Sequence, residues 1–465
     1  MIIDTSVFDI GQSWPPESER GRLRKWKQNK LLYERKHEHV FPLLRDMLNQ
    51  PQYRRYVLAF DFPHLLSNRF ADLLLGEPMR ITAGKTESKE QNLLENLLEM
   101  NDFNAVSREV AIDVSRYGVG FYKIRGENGA GIIEAVDPMT VFPIVNPANV
   151  RDVQSYAIAY TYSRKAPTLF DRDKKDYFLS VELLEKGKIT SRLYQLGNGG
   201  ERIARLQQST ETKTGLNDFL LQPVFASRTS GEYYGDDDYS AIDSTLQELE
   251  SRFSRIAHIL DKHSDPNMIG SSNLLQQEES GEYTFTAGGK FLPVENEDIV
   301  PQYVTWDGQL AACFQEIDLL MDQLYMQSET SAAMFGQFKQ GLVESGSALR
   351  RLMTSPLIKT RRLSESFAPA IKRTLSLAAA LQGEKCGKID IQFKDGLPVD
   401  EREQAEIMAT RVQNKLISRA QALRQIYGYD DAALQEELAA IAADESIANA
   451  KQTISTPALD NVPNV

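Results

Sequence analysis

The segment from Asp243 to Phe335 constrains this chain more than any other, because two helical patterns bracket a stretch that cannot be helix. After Asp243 or Ser244, either of which can cap a helix, Leu246, Leu249, Phe253, Ile256, Ala257 and Leu260 recur at three- and four-residue intervals. Asp265-Pro266 closes that pattern. From Leu310 onward Phe314, Ile317, Met321 and Leu324 repeat a similar spacing, the seam of a helix lying along another helix. Between the two, Asn267 to Trp306 has no helical period, contains Gly281, Gly288, Gly289, Pro293 and Pro301, and includes the strand-like Tyr283 to Thr286. The chain must therefore send out one helix, build a small β-containing excursion, and return along a second helix.

The remainder organises around that unit. Arg20 to Lys36 carries eight Lys or Arg residues against one acid, Glu34, with Trp26 and Tyr33 among them, and reads as a helix with a solvated basic face. The apolar run Tyr56 to Leu75 is closed by Gly76-Glu77-Pro78, and Leu93, Leu94, Leu97, Leu98, Val106, Val110 and Val114 continue the helical period. At Gly118 the period changes. Gly120 to Arg125, Ile132 to Val136, Tyr156 to Tyr162, Phe178 to Leu184 and Ile189 to Leu196 read as strands of one antiparallel sheet, with Glu185-Lys186-Gly187-Lys188 as a hairpin loop. Past Gly336 to Gly346, Ser347 to Gln382 reads as a long helix kinked at Pro356 and Pro369. Ile389 to Phe393 is a short strand, Asp400 to Ala450 is helical with a break at Tyr427-Gly428, and a disordered tail is expected from Thr453. The fold class is α+β, mainly α.

Composition and motifs exclude several functions. The most apolar stretch, Leu375 to Leu381, is far short of the roughly 20 residues that cross a bilayer, and nothing near Met1 resembles a secretory signal, so a cytoplasmic site of synthesis and no membrane partner are expected. Cys313 and Cys386 lack CxxC spacing, which argues against a disulfide framework or a zinc site. Gly84-Lys85-Thr86 has Met79 where a phosphate loop needs its first glycine. His37-Glu38-His39 has Phe41 where a zincin needs its second histidine. Asp236-Asp237-Asp238 could hold a divalent ion but lacks the glycine and glutamate of a calcium loop, and reads better as a loop leading into a helix. No catalytic residue, cofactor or metal is expected. One competing reading makes the chain a metal-dependent enzyme acting on nucleic acid through Asp236 to Asp238 with Glu232; another makes it a structural assembly protein of another kind.

Charge supplies a mechanism. The net charge is -12, unsuited to tight nonspecific binding of nucleic acid. Phe291 to Phe338 contains eight acids (Glu295, Glu297, Asp298, Asp307, Glu316, Asp318, Asp322 and Glu329) and no Lys, Arg or His, while Lys339 to Arg373 reverses the balance. Either the acidic and basic stretches pack together within one molecule, or copies arranged in a ring turn each acid into a ring of acids. A wall of that kind, marked by Glu316, Asp318, Asp322 and Glu329, repels phosphate and lets a duplex slide. The loop Gly336-Gln337-Phe338-Lys339-Gln340-Gly341 could project toward the duplex, with Lys339 as its single cation.

The order of elements resembles the portal proteins of long-tailed bacteriophages. The resemblance is carried by Ala71-Asp72-Leu73-Leu74-Leu75-Gly76-Glu77-Pro78, Arg228-Thr229-Ser230-Gly231-Glu232-Tyr233-Tyr234-Gly235, Ile256-Ala257-His258-Ile259-Leu260-Asp261-Lys262-His263, Ser345-Gly346-Ser347-Ala348-Leu349-Arg350 and Phe393-Lys394-Asp395-Gly396-Leu397-Pro398. It implies a ring, usually of about twelve copies, around a central channel. It also implies a wing over 1–243, a first stem helix over 244–265, a clip over 266–307 and a second stem helix over 308–335. A tunnel loop over 336–346, a kinked wing helix and strand over 347–399, a crown over 400–452 and a tail over 453–465 would follow. The implied partners are other copies of the chain, the terminase large subunit, a head-completion or adaptor protein, scaffolding and major capsid proteins, and double-stranded DNA held transiently and without sequence preference. Docking at the clip would involve Asn273, Tyr283, Phe285, Lys290 and Phe291. The implied location is the capsid portal vertex of the virion, with assembly in the host cytoplasm.

Overall fold

A computed structural model describes residues 1–85, 88–166, 175–264, 267–271, 276–277, 283–284, 291–295, 302–304, 310–338, 346–394, 401–429 and 431–454. The chain divides into two compact units, Met1–Gln337 with Met353–Gly396, and Phe338–Leu352 with Leu397–Val465.

The first unit begins with helices α1 (Arg20–Tyr33), α2 (Pro42–Leu48) and α3 (Phe62–Leu75), strand β1 (Arg80–Ala83), and helices α4 (Lys89–Met100) and α5 (Phe103–Tyr117). In α1 the residues Trp26, Asn29 and Leu32 turn inward, Arg22 packs over the Trp26 ring, and Arg20, Arg24, Lys25 and Lys27 are left outside. Helix α3 starts at Phe62, well inside the apolar run, because Pro63 is tolerated only in a first helical turn. Gly118 ends α5 at φ +75°, and a Cβ there would lie 2.0 Å from the Gly235 carbonyl oxygen. Only glycine meets both demands.

The β region is two antiparallel sheets rather than one. β2 (Val119–Glu127) is central in a three-stranded sheet with β3 (Ala130–Ala135) and β9 (Leu221–Phe225). The second sheet runs in chain order through β4 (Val141–Asn146), β5 (Asn149–Lys165), β6 (Lys175–Glu185), β7 (Lys188–Gly197) and β8 (Arg202–Lys213). The expected hairpin joins β6 and β7 through Lys186-Gly187, with Gly187 at φ +88°. β4 was hidden by Pro143, which an edge strand accommodates, and β8 by its polar sequence, nearly every residue of which is exposed. One face of the larger sheet buries Phe8, Phe142, Leu179, Tyr194 and Ile203. A second cluster holds Trp26, Tyr117, Phe121, Tyr156 and Leu221.

Helix α6 (Asp243–Ser264) leads into short strands β10 (Asn267–Ser271), β11 (Gln276–Gln277), β12 (Tyr283–Thr284), β13 (Phe291–Val294) and β14 (Gln302–Val304), and α7 (Leu310–Gln327) returns. β10 pairs parallel to β13 and antiparallel to β14, while β11 and β12 form a separate hairpin pairing. The expected helix over Ser347 to Gln382 is two helices, α8 (Gly346–Leu352) and α9 (Thr354–Leu381), broken at Met353. Pro356 sits in the first turn of α9, where it displaces no hydrogen bond, and Pro369 lies inside. α9 completes the largest core, packing Phe367, Ile371 and Leu375 with Leu94, Val110 and Tyr122. It approaches β3 so closely that a Cβ on Gly131 would meet the Ala378 carbonyl oxygen at 2.3 Å. Strand β15 (Ile389–Gln392) pairs antiparallel with β1.

The second unit contains α8, α10 (Glu401–Gln413), α11 (Arg419–Tyr427) and α12 (Asp431–Ile454). Ser418 caps α11 by accepting from the Gln421 N–H, and Gly428 ends it at φ +69°. Met408, Ala422 and Leu434 are buried there. Residues 455–465, where most of the disordered tail is expected, lie outside the described residues.

Candidate functional site

Helix α6 starts in a polar clamp made by the acidic run. The Asp237 carboxylate accepts from the backbone N–H groups of Tyr239 and Ser240 at 3.1 and 2.8 Å, and Lys25 of α1 lies 2.8 Å from it. Asp238 accepts from the Ser115 hydroxyl at 2.6 Å and pairs with Lys359 of α9 at 2.8 Å. Lys359 is itself buried; it also donates to the Ser328 carbonyl at 3.2 Å and lies 4.2 Å from the centre of the Phe70 ring. Asp237 and Asp238 are thus committed to protein cations and hydroxyls, whereas Asp236 and Glu232 are exposed. Among the described residues no group of three or more His, Cys, Asp or Glu side chains is placed to hold a metal ion.

The body of α6 is held from two sides. On one side the Glu250 carboxylate accepts from the Phe60 N–H at 2.8 Å and lies 2.7 Å from His37 Nδ1. His37 Nε2 is 3.0 Å from the Leu32 carbonyl, so the dyad is buried and bonded at both ends. Burial alone would lower the His37 pKa, but the Glu250 hydrogen bond and charge outweigh it and raise the imidazole above its ordinary value. Burial also raises Glu250. His258, further along the helix, meets the Tyr53 ring at a tilt and the Tyr56 ring edge-on, with ring centres 4.5 and 5.2 Å away.

On the other side lies α7. Thr245 donates to Gln327 Oε1 at 2.8 Å, and Arg252 reaches Glu316 at 3.1 Å, so the two helices run antiparallel. Of the expected seam, Ile317 and Leu324 are buried, Met321 is half-buried, and Phe314 is 47% exposed. The outward face of α7 carries Asp318 and Asp322, one turn apart and both exposed, beside Leu319 and Met326 at 67% and 68% exposure.

The four acids of the expected channel wall therefore have two different surroundings. Glu316 pairs with Arg252 of α6, and Glu329, held at φ +56° just past α7, makes a two-pronged pair with Arg362 of α9 at 2.7 Å. Among the described residues, Asp318 and Asp322 have no ion-pair partner. Of the expected loop, Gly336 adopts φ +78°, Gln337 accepts from the Tyr325 hydroxyl at 3.2 Å, and Phe338 is 50% exposed. Lys339, Gln340 and Gly341 lie outside the described residues. Of the expected docking positions, Tyr283 pairs with Gln277 and Phe291 with Met268 through their backbones, while Asn273, Phe285 and Lys290 lie outside the described residues.

Sequence reading missed the Asp238–Lys359 and His37–Glu250 pairs. Their partners are too distant in the chain for any local spacing to link them. The charge reversal at Lys339 did foreshadow an acidic stretch meeting a basic one, and Glu329–Arg362 realises it.

A polar clamp, a pair of antiparallel helices and a small β unit between them define the candidate site. Residues 17–451 match the family described as phage portal protein, SPP1 Gp6-like, and the chain belongs to that family. The family is structural and implies a place at the capsid vertex of the virion. Two solved structures are similar along most of the chain. The neck of an empty GTA particle computed with C6 symmetry aligns at TM-score 0.45 and 10% identity, covering 90% of this chain and 95% of that one. The neck of a native GTA particle computed with C12 symmetry aligns at TM-score 0.43 and 11% identity, covering 90% and 96%. No curated protein matches the sequence. Among the described residues no helix is long and apolar enough to cross a membrane.

Proposed function

We propose that copies of this chain form a ring of about twelve at one capsid vertex, through which double-stranded DNA passes during packaging and ejection. Antiparallel α6 and α7 form the stem, the short strands between them the clip, residues 336–346 the tunnel loop, and the helices after 400 the crown. Wing residues before Asp243 and in α9 hold the stem in place. The terminase large subunit and then a head-completion or adaptor protein dock at the clip, with Asn273, Tyr283, Phe285, Lys290 and Phe291 as candidate contacts, while scaffolding and major capsid proteins surround the ring.

The observation that carries this reading is the outward face of α7. Among the described residues Asp318 and Asp322 stand there without an ion-pair partner, next to apolar side chains that a single copy leaves uncovered. Arrayed around a channel, such carboxylates repel phosphate and prevent the counterion-releasing contacts that would hold a duplex fast. Asp318→Lys with Asp322→Lys tests it: assembled rings of the variant should retain DNA in a salt-sensitive way and package more slowly. Packaging at the wild-type rate, with no gain in DNA retention, would remove these acids from the channel.

A further inference from the structure

The basic run of α1 is only partly used by the fold. Lys25 is spent on Asp237, and Arg22 on Glu19. Among the described residues Arg20, Arg24, Lys27 and Lys30 of α1 have no ion-pair partner, Arg20 donating only to the Pro15 carbonyl at 3.4 Å, and the first three, spaced four and three apart, lie on one face of the helix. Arg24 and Lys27 are exposed. This face forms one wall of an open groove of about 740 Å³ whose opposite wall comes from Met139, Thr140 and the outer part of β5. The groove floor is apolar: Leu23 and Met139 are half-buried, and Phe142 and Ala159 belong to the core beneath. A single acid, Glu201, stands at its edge.

On a chain of net charge -12 this is a local cationic groove with a greasy floor. We infer that it docks an acidic peptide segment of a partner protein, one that alternates Asp or Glu with an aliphatic or aromatic side chain. Charge complementarity argues for acids against Arg20, Arg24 and Lys27, and the floor argues for a peptide over nucleic acid. A duplex would meet the cations with phosphates and leave Leu23 and Met139 without a partner. Three cations along about two helix turns also match acidic side chains spaced along an extended strand or a helix face.

The test uses the full chain and fluorescein-labelled twelve-residue peptides in which Glu alternates with Leu or Phe, alongside counterparts with Gln for every Glu, and a labelled DNA duplex of similar length. Anisotropy should show the Glu peptides binding at least tenfold more tightly than the Gln peptides, with affinity falling as salt rises. Arg24→Glu with Lys27→Glu should abolish the difference, and Arg24→Lys with Lys27→Arg should restore most of it. Both positions are solvent-exposed, and circular dichroism confirms that the variants fold. Equal binding of Glu and Gln peptides, binding indifferent to the charge reversal, or a duplex that competes as well as the Glu peptides would each overturn the assignment.

Discussion

Lys359 Nζ lies 2.8 Å from Asp238 Oδ1, with both side chains almost wholly removed from solvent, and this pair ties the long helix α9 to the loop from which α6 starts. Removing one partner strands the other as a buried charge, at a cost of ~3–5 kcal/mol. Asp238→Ala and Lys359→Ala should each lower the urea unfolding midpoint by that order. Asp238→Asn combined with Lys359→Met should cost clearly less than the two alanine changes added together, because neither charge is then left alone.

The His37–Glu250 dyad makes stability depend on pH. A histidine whose pKa is raised on folding binds its proton more tightly in the native state, so its contribution is complete below about pH 6.5 and fades as pH climbs through the raised value. Urea midpoints measured across this range should therefore fall with rising pH. Glu250→Gln removes the carboxylate that holds the imidazolium and should flatten the slope; an unchanged slope in the variant would assign the dependence elsewhere.

The four acids of the proposed channel should not be equivalent. Glu329 and Arg362 are both more than two-fifths exposed, so their pair is worth only ~0–1 kcal/mol. Glu329→Gln and Glu316→Gln remove carboxylates whose charge an arginine already offsets, and should change DNA retention by assembled rings less than Asp318→Asn with Asp322→Asn. Filter binding at two salt concentrations ranks the three variants. A larger effect from Glu329 would reverse the ordering.

Lys339 is the one cation between Phe291 and Arg350. Lys339→Glu should impair packaging or DNA retention while leaving ring formation intact, which an in vitro packaging assay and electron microscopy measure separately. Normal packaging by this variant would take the charge argument away from the loop.

Much of the helical framework was legible because its signals are local. α6 and α7 follow from the spacing of Leu246 to Leu260 and of Phe314 to Leu324, and Gly428 marks the end of α11 through its need for positive φ. β8 was invisible for a physical reason: its backbone pairs with β7, Ile203 turns into the core, and the side chains from Ala204 to Lys213 face water and carry no alternation. β4 was masked by a proline that an edge position tolerates, and the division of the β region into two sheets depends on where β9 returns to pair with β2. The candidate wall was only half legible. The sequence marked its four acids alike without assigning them a helix face, and nothing local to Glu316 or Glu329 points to Arg252 or Arg362, which arrive from other helices.

The central claim is that this chain works as a ring with a passage through it, and electron microscopy of the purified protein at high concentration, alone and with capsid protein, tests it most directly. The account predicts closed rings of about twelve copies around an open channel, with α7 facing the channel. A species that stays strictly monomeric under both conditions, or a closed assembly with no central opening, would contradict it.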